Sequence, residues 1–134
     1  MADRYFTPDE VEKLIPDLTR LMGTVRTAHE EAGEVRERLR AEQERITMSG
    51  GGMVDRDAWK ADAERLERLT GQVQAALDAI FELGGVPKDL ALGLVDFPHR
   101  RGNEVVNLCW KYGEREIRYW HGLQEGYAAR KPLP

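Results

Sequence analysis

The sequence predicts an α+β protein, a long antiparallel α-helical hairpin followed by a C-terminal three-stranded antiparallel β-meander. Three observations carry this. Apolar residues recur on a seven-residue repeat from Val11 into the ninth decade of the chain. Two glycine clusters, Gly50-Gly51-Gly52 and Gly84-Gly85, punctuate that repeat. After Pro87 the apolar period shortens to two, the spacing of a half-buried strand. With 134 residues there is room for one domain. Its parts are a first helix over 7–48, a second over 55–83, the meander over 92–121 and a tail over 122–134.

The first helix has a marked beginning. Thr7-Pro8-Asp9-Glu10 reads as a capping box, with Thr7 at the N-cap, Pro8 at the first helical position and Glu10 reaching back. Phe6 and Val11 stand where a hydrophobic staple forms. One seam then runs Val11, Leu18, Val25, Ala32, Leu39, Ile46. Its companion runs Leu14, Leu21, Ala28, Val35, and fails only at Glu42. That is coiled-coil-like spacing. Pro16 removes one helical hydrogen bond, so a kink is expected there. Gly23 and Gly33 weaken the helix unless something packs closely against them.

Ser49-Gly50-Gly51-Gly52 ends this helix, and Asp55 or Asp57 caps the next. Trp59, Leu66, Val73 and Ile80 share its seam, with Leu69, Ala76 and Leu83 beside them and Asp62 as the polar break. Gly84-Gly85 and Pro87 stop it. Strands follow at 92–97, 104–111 and 117–121, with turns at Arg100-Arg101-Gly102-Asn103 and Tyr112-Gly113-Glu114-Arg115. Pro98 suits an edge strand. Pairing Lys111 with Glu116 and Phe97 with Val106 places Val95, Phe97, Val106, Leu108, Trp110, Ile117 and Tyr119 on a core face. Leu94, Asp96, Val105, Asn107, Cys109, Lys111, Glu116, Arg118 and Trp120 fall on the other. A one-residue slip would exchange the faces.

Charged residues make up 33% and apolar residues 41%, the balance of a soluble globular chain. No run of 18 apolar residues exists to span a membrane. Met1-Ala2-Asp3-Arg4-Tyr5-Phe6 lacks the apolar stretch of a secretory signal. The single cysteine, Cys109, fits a reducing cytoplasm and excludes an internal disulfide framework. A net charge of −4 argues against a dedicated nucleic-acid binder. That charge is uneven. Residues 7–47 hold 10 acids and 7 bases, residues 55–83 hold 7 and 4, and residues 84–134 hold 6 and 8. The last segment also carries six of the ten aromatics, so a binding site is expected there. A small sheet also needs such side chains simply to build its core.

Known signatures are absent. His29-Glu30-Glu31-Ala32-Gly33 lacks the second histidine of a zinc-protease helix, and the glycines at 50–52 lack the phosphate-loop lysine. Cys109 has His99 and His121 as candidate neighbours for a thiolate–imidazole pair, although a lone strand cysteine is more often an inert small hydrophobe. A sharper candidate is a metal centre. In the pairing above His99 faces Glu104 and His121 lies near, a His–His–carboxylate set that suits zinc or ferrous iron. Binding of a ligand or partner is expected at Asp96, Arg100, Arg101, Cys109, Trp110, Glu114, Tyr119, Trp120 and Arg130.

Arg4-Tyr5-Phe6-Thr7, Gly93-Leu94-Val95-Asp96-Phe97-Pro98, Leu108-Cys109-Trp110-Lys111-Tyr112-Gly113-Glu114, Tyr119-Trp120-His121 and Glu125-Gly126-Tyr127-Ala128-Ala129-Arg130-Lys131-Pro132-Leu133 occur in that order. This set resembles the bacterial family catalogued as domain of unknown function 2203, over essentially the whole chain. Lys111 stands where the family more often has arginine, Tyr127 where it has phenylalanine and Ala129 where it has glycine. The resemblance implies a small cytosolic protein with no assigned activity, and supplies no catalytic residues. It does place Asp96, Cys109, Glu114, His121 and Arg130 in the family pattern. A buried polar network, Asp96 or Glu114 paired with Arg130, would account for them structurally.

Two functions are therefore carried forward. One is a non-enzymatic oligomeric interaction module. Its helices are too long to bury their stripes alone, so it would be a homodimer with a four-helix arrangement, its aromatic meander free for a protein partner. The alternative is a small-molecule- or metal-binding domain, enzyme or not, centred on the meander.

Overall fold

The structure is a computed structural model that describes residues 4–50 and 55–134. Residues 1–3 of the N-terminal stretch, and Gly51 and Gly52 of the expected linker, lie outside them. Helix α1 spans Pro8–Met48 and α2 spans Arg56–Leu83. A sheet follows, built from β1 (Val86–Asp89), β2 (Leu94–Arg101), β3 (Glu104–Lys111), β4 (Tyr119–Gly122) and β5 (Lys131–Pro132). Every neighbouring pair is antiparallel, and the strands lie in sequence order.

The cap at Thr7 forms as the sequence indicates. Glu10 N–H donates to Thr7 Oγ1 at 3.2 Å, and Thr7 N–H donates to Glu10 Oε1 at 2.9 Å. Phe6 and Val11 are both buried. The helix continues through Pro16 without a break. At 1.5 Å per residue its 41 residues extend about 60 Å. Tyr112 lies against Gly23, but nothing approaches Gly33, so only the first glycine has a packing reason. Asp55, rather than Asp57, caps α2 by accepting from Ala58 N–H at 3.0 Å. Gly84 ends α2 at φ +104°, with the Phe6 ring where its Cβ would be.

The helices run antiparallel, with Arg38 paired to Asp62 at 2.8 Å and Glu31 to Arg65 at 3.2 Å. Asp62, the break in the seam, thus has a partner. Between Val11 and Val25 the buried stripe of α1 is wider than the heptad seam, because Ile15 and Met22 join it. Both belong to the main core, together with Ala76 and Ile80 of α2 and Val95, Phe97, Leu108 and Trp110 of the sheet. Burial of each large core side chain is worth roughly 1.5–3 kcal/mol. Farther out, Ala28, Ala32, Val35 and Leu69 form a smaller cluster between the helices alone. Beyond Val35 no residue of α1 is buried.

The meander differs from expectation in three ways. First, it is extended to five strands. β1 pairs with β2 through Val86↔Asp96 and Pro87↔Val95, so β2 is internal. Pro98 is tolerated because β1 pairing ends at Asp96, and its carbonyl accepts from Phe6 N–H at 2.7 Å. Second, β2 runs on to Arg101, and Phe97 faces Leu108 instead of Val106. That two-residue shift preserves the faces. Third, β4 slips by one. Trp120 faces Leu108 and His121 faces Asn107, so Trp120 joins the core. Tyr119 is thereby taken off the core face. Lys111 does not meet Glu116, which pairs instead with Arg118. The cause is the segment after Lys111. A tight turn forms there, with Glu114 N–H donating to the Lys111 carbonyl at 2.9 Å, but pairing with β3 resumes only at Trp120, so the turn does not set the register of β4.

Candidate functional site

Alternation along β2 and β3 sends Val95, Phe97, Leu108 and Trp110 towards the helices. It sends Asp96, Asn107 and Cys109 to the opposite face. Asp96 and Cys109 are direct cross-strand partners. The slip of β4 brings His121 to the same face. All three side chains are buried, at 3%, 1% and 2% exposure, and one donor atom from each lies within 4.8 Å of the other two. This depth is unusual for polar groups, and here it is achieved by the C-terminal segment, which folds back over this face.

The hydrogen bonds orient the cluster. His121 Nδ1 stands 2.9 Å from the Gly122 carbonyl. A carbonyl only accepts, so Nδ1 carries a proton and donates. His121 Nε2 points at Asp96 Oδ1, 3.0 Å away. Cys109 Sγ lies within 4.8 Å of the Asp96 carboxylate. Burial pushes the Asp96 carboxyl above its ordinary value, against the opposing pull of His121. Burial, and then the Asp96 charge, pushes the Cys109 thiol up to about 12. Without a cation the thiol is therefore protonated and inert.

A cavity of about 100 Å³ opens beside these groups. Asp96, Cys109 and His121 all line it, and Lys88, Leu94, Leu123, Glu125 and Tyr127 form much of the remaining wall. Glu125 is held in place. It accepts from Gly122 N–H at 2.7 Å and from Lys131 Nζ at 2.6 Å.

A second cluster secures the tail. Arg130 Nη2 donates to both Glu114 oxygens, at 2.8 and 2.7 Å, and to the Cys109 carbonyl at 3.2 Å. Glu114 Oε1 also accepts from Lys111 N–H at 2.7 Å. The guanidinium lies 4.1 Å from the Tyr119 ring centroid and 4.8 Å from that of Tyr127. Of the two network pairings considered, Glu114 with Arg130 forms. Asp96 turns to His121 instead.

The expected metal set does not assemble. His99 lies opposite Val106 and contacts the Phe6 carbonyl through Nδ1 at 2.7 Å. Glu104 is exposed and faces Arg101 at the hairpin tip. His121 is on the other side of the sheet from His99. The slip of β4 accounts for this, since it reverses the face of His121 but not of His99. Trp110 is core, its indole N–H donating to the Glu114 carbonyl at 3.0 Å. Trp120 is core with Arg101 and Lys131 over its ring. Arg100 is exposed beside Tyr5.

The donors that do converge suit a cation. Thiolate, imidazole and carboxylate are zinc ligands. Donors around tetrahedral zinc are separated by roughly 3.3–3.8 Å, given metal–ligand bonds near 2.0–2.3 Å. A spread of 4.8 Å needs a modest tightening. The Nδ1–H bond to Gly122 is the outer contact that a zinc-bound histidine commonly makes, and it leaves Nε2 to ligate. Sequence reasoning missed Lys88 and Glu125 because neither β1 nor the fold-back of the tail has a sequence signature. Asn107 was placed on the correct face without a role.

Among known proteins, a family model described as an uncharacterized conserved protein (DUF2203) matches residues 4–133. No curated protein and no solved structure matches the chain.

Proposed function

The chain belongs to this uncharacterised conserved family, and from the geometry of its sheet we propose that it is a zinc-binding domain with Asp96, Cys109 and His121 as ligands. One observation carries the reading. Three buried donors of three chemical types lie within 4.8 Å of one another, with His121 Nδ1 engaged by the Gly122 carbonyl. The mixed S, N and O set favours zinc over ferrous iron, whose non-haem sites prefer two histidines and a carboxylate. Zinc would take up the thiol as thiolate, which burial otherwise opposes. A free thiol as ligand suits the reducing cytoplasm. No helix among the described residues is long and apolar enough to cross a membrane.

Metal analysis of the protein reconstituted with zinc tests this. About one zinc per chain is expected, lost in Cys109→Ser and in His121→Ala. Substoichiometric zinc after reconstitution, with the fold intact by circular dichroism, would leave Asp96–His121 as a structural pair only.

A second reading concerns assembly. In the outer half of the hairpin Leu39, Ile46 and Trp59 remain partly exposed. Between the helices there, a groove of about 420 Å³ includes Leu39, Ala58 and Trp59 in its lining. Four of its rim charges are paired, Arg38 with Asp62 and Glu42 with Arg45, and Asp55 is engaged in capping α2. The occupant we propose is a second copy of the chain, since a two-fold apposition brings together rims whose Arg38–Asp62 and Glu42–Arg45 pairs are already compensated. Light scattering at micromolar concentration should give twice the chain mass, and a monomeric mass would remove this reading.

A further inference from the structure

Three protein donors supply three corners of a tetrahedral zinc site, and a closed structural site would need a fourth from the protein. Among the described residues the cluster holds no fourth histidine, cysteine or carboxylate. The cavity of about 100 Å³ is instead walled by all three donor residues. At about 30 Å³ per water it has room for roughly three water molecules. That is also the scale of a carboxylate with one or two carbons.

Charge selects among such ligands. A dication with one thiolate and one carboxylate is neutral. Glu125 on the wall is compensated by Lys131, 2.6 Å away. Lys88, which also lines the cavity, is left as an excess positive charge, close enough to act on the Asp96 carboxylate. The preferred guest is therefore a monoanion. Leu94, Leu123 and Tyr127 give the wall apolar surface that accepts a short alkyl group, and Asn107 and Gly126 complete it.

We propose that the cavity beside Asp96, Cys109 and His121 is an exchangeable site for a short-chain monocarboxylate, bound to the metal at its fourth position and to Lys88. This rests on the zinc reading above. It goes further by making the centre open and ligand-binding, which is the arrangement of metal sites that act on a substrate.

The cobalt(II)-loaded full chain tests it. A sulfur-to-cobalt charge-transfer band reports the Cys109 ligand, and the visible d–d bands report the fourth position. Sodium acetate, propionate and benzoate are titrated in turn. Acetate should shift the d–d bands saturably while the sulfur band persists. Benzoate should not, because its ring exceeds the cavity. Lys88→Met, measured at saturating cobalt, should weaken acetate about tenfold, or 1.4 kcal/mol. Cobalt binding with a sulfur band but no response to acetate overturns this proposal and leaves the zinc reading standing. No cobalt binding at all overturns both. Equal binding of benzoate, or an unaltered acetate affinity in Lys88→Met, also overturns it.

Discussion

Removing the Glu114 carboxylate should destabilise the domain strongly. Arg130 is 11% exposed and Glu114 is 24% exposed, and the guanidinium donates to both carboxylate oxygens. Breaking a buried pair from one side typically costs about 3–5 kcal/mol, since a desolvated charge is left behind. The residual exposure places Glu114→Ala at the lower end, near 3 kcal/mol. Lys111 N–H also loses its acceptor, which adds about 1 kcal/mol. The expected total is about 3–4 kcal/mol. Glu114→Gln keeps an acceptor for that N–H and should cost about 2 kcal/mol. Arg130→Met removes the cation, so the double variant Glu114→Ala/Arg130→Met should be more stable than the sum of the single losses predicts. The coupling should be about 2 kcal/mol. Urea unfolding of the metal-free chain, followed by circular dichroism, measures each value. A loss under about 1 kcal/mol for Glu114→Ala, or additivity within about 0.5 kcal/mol, would refute the argument that this pair anchors the tail.

Three other expectations follow from the same structure. Gly84→Ala meets the Phe6 ring and a φ of +104°, so it should lower stability by more than about 1 kcal/mol in the same assay; a neutral result would mean that the helix end is not confined as described. In the metal-free native protein Cys109, with its thiol pushed up to about 12, should stay unmodified by a thiol-reactive disulfide at pH 8, where only about one part in 10⁴ is thiolate. It should react fully once unfolded, and rapid native labelling would contradict the burial. At dilutions where the chain is monomeric, backbone amides beyond Val35 in α1 should exchange with deuterium faster than those between Val11 and Val25, because no buried side chain of the chain itself holds the outer half. Uniform protection along α1 at those dilutions would refute this.

The helices were legible in the sequence because their signals are local. The Thr7 box and the Gly84 stop act within a few residues, and both form, while the apolar stripe of α1 is buried only as far as Val35. The meander was legible in its alternation but not in its register. β2 and β3 keep their faces because a two-residue shift does not change parity. β4 changed parity because the loop after Lys111 is shaped by Glu114 reaching Arg130, a contact 16 residues away. The site suffered in proportion. Asp96 and Cys109 were marked as one face, and His121 was marked as a ligand, yet the set was assembled as His99, Glu104 and His121. A single misplaced residue in β4 separated His121 from Asp96 and Cys109, beside which it lies. β1 and the tail strand β5 were missed because Val86–Asp89 and Lys131–Pro132 are too short to show a period.

The pleat of β2 and β3 has a consequence for how this molecule could change. It works as a partition wall. Val95 and Phe97 of β2 and Val106, Leu108 and Trp110 of β3 answer to the helices, while Asp96, Asn107 and Cys109 answer to His121, the tail and the cavity. The donors can then be exchanged, for example by histidine at 107 or aspartate at 109, without redrawing the interior behind them. One scaffold of this kind could host a series of different centres, each tuned from one side of the wall.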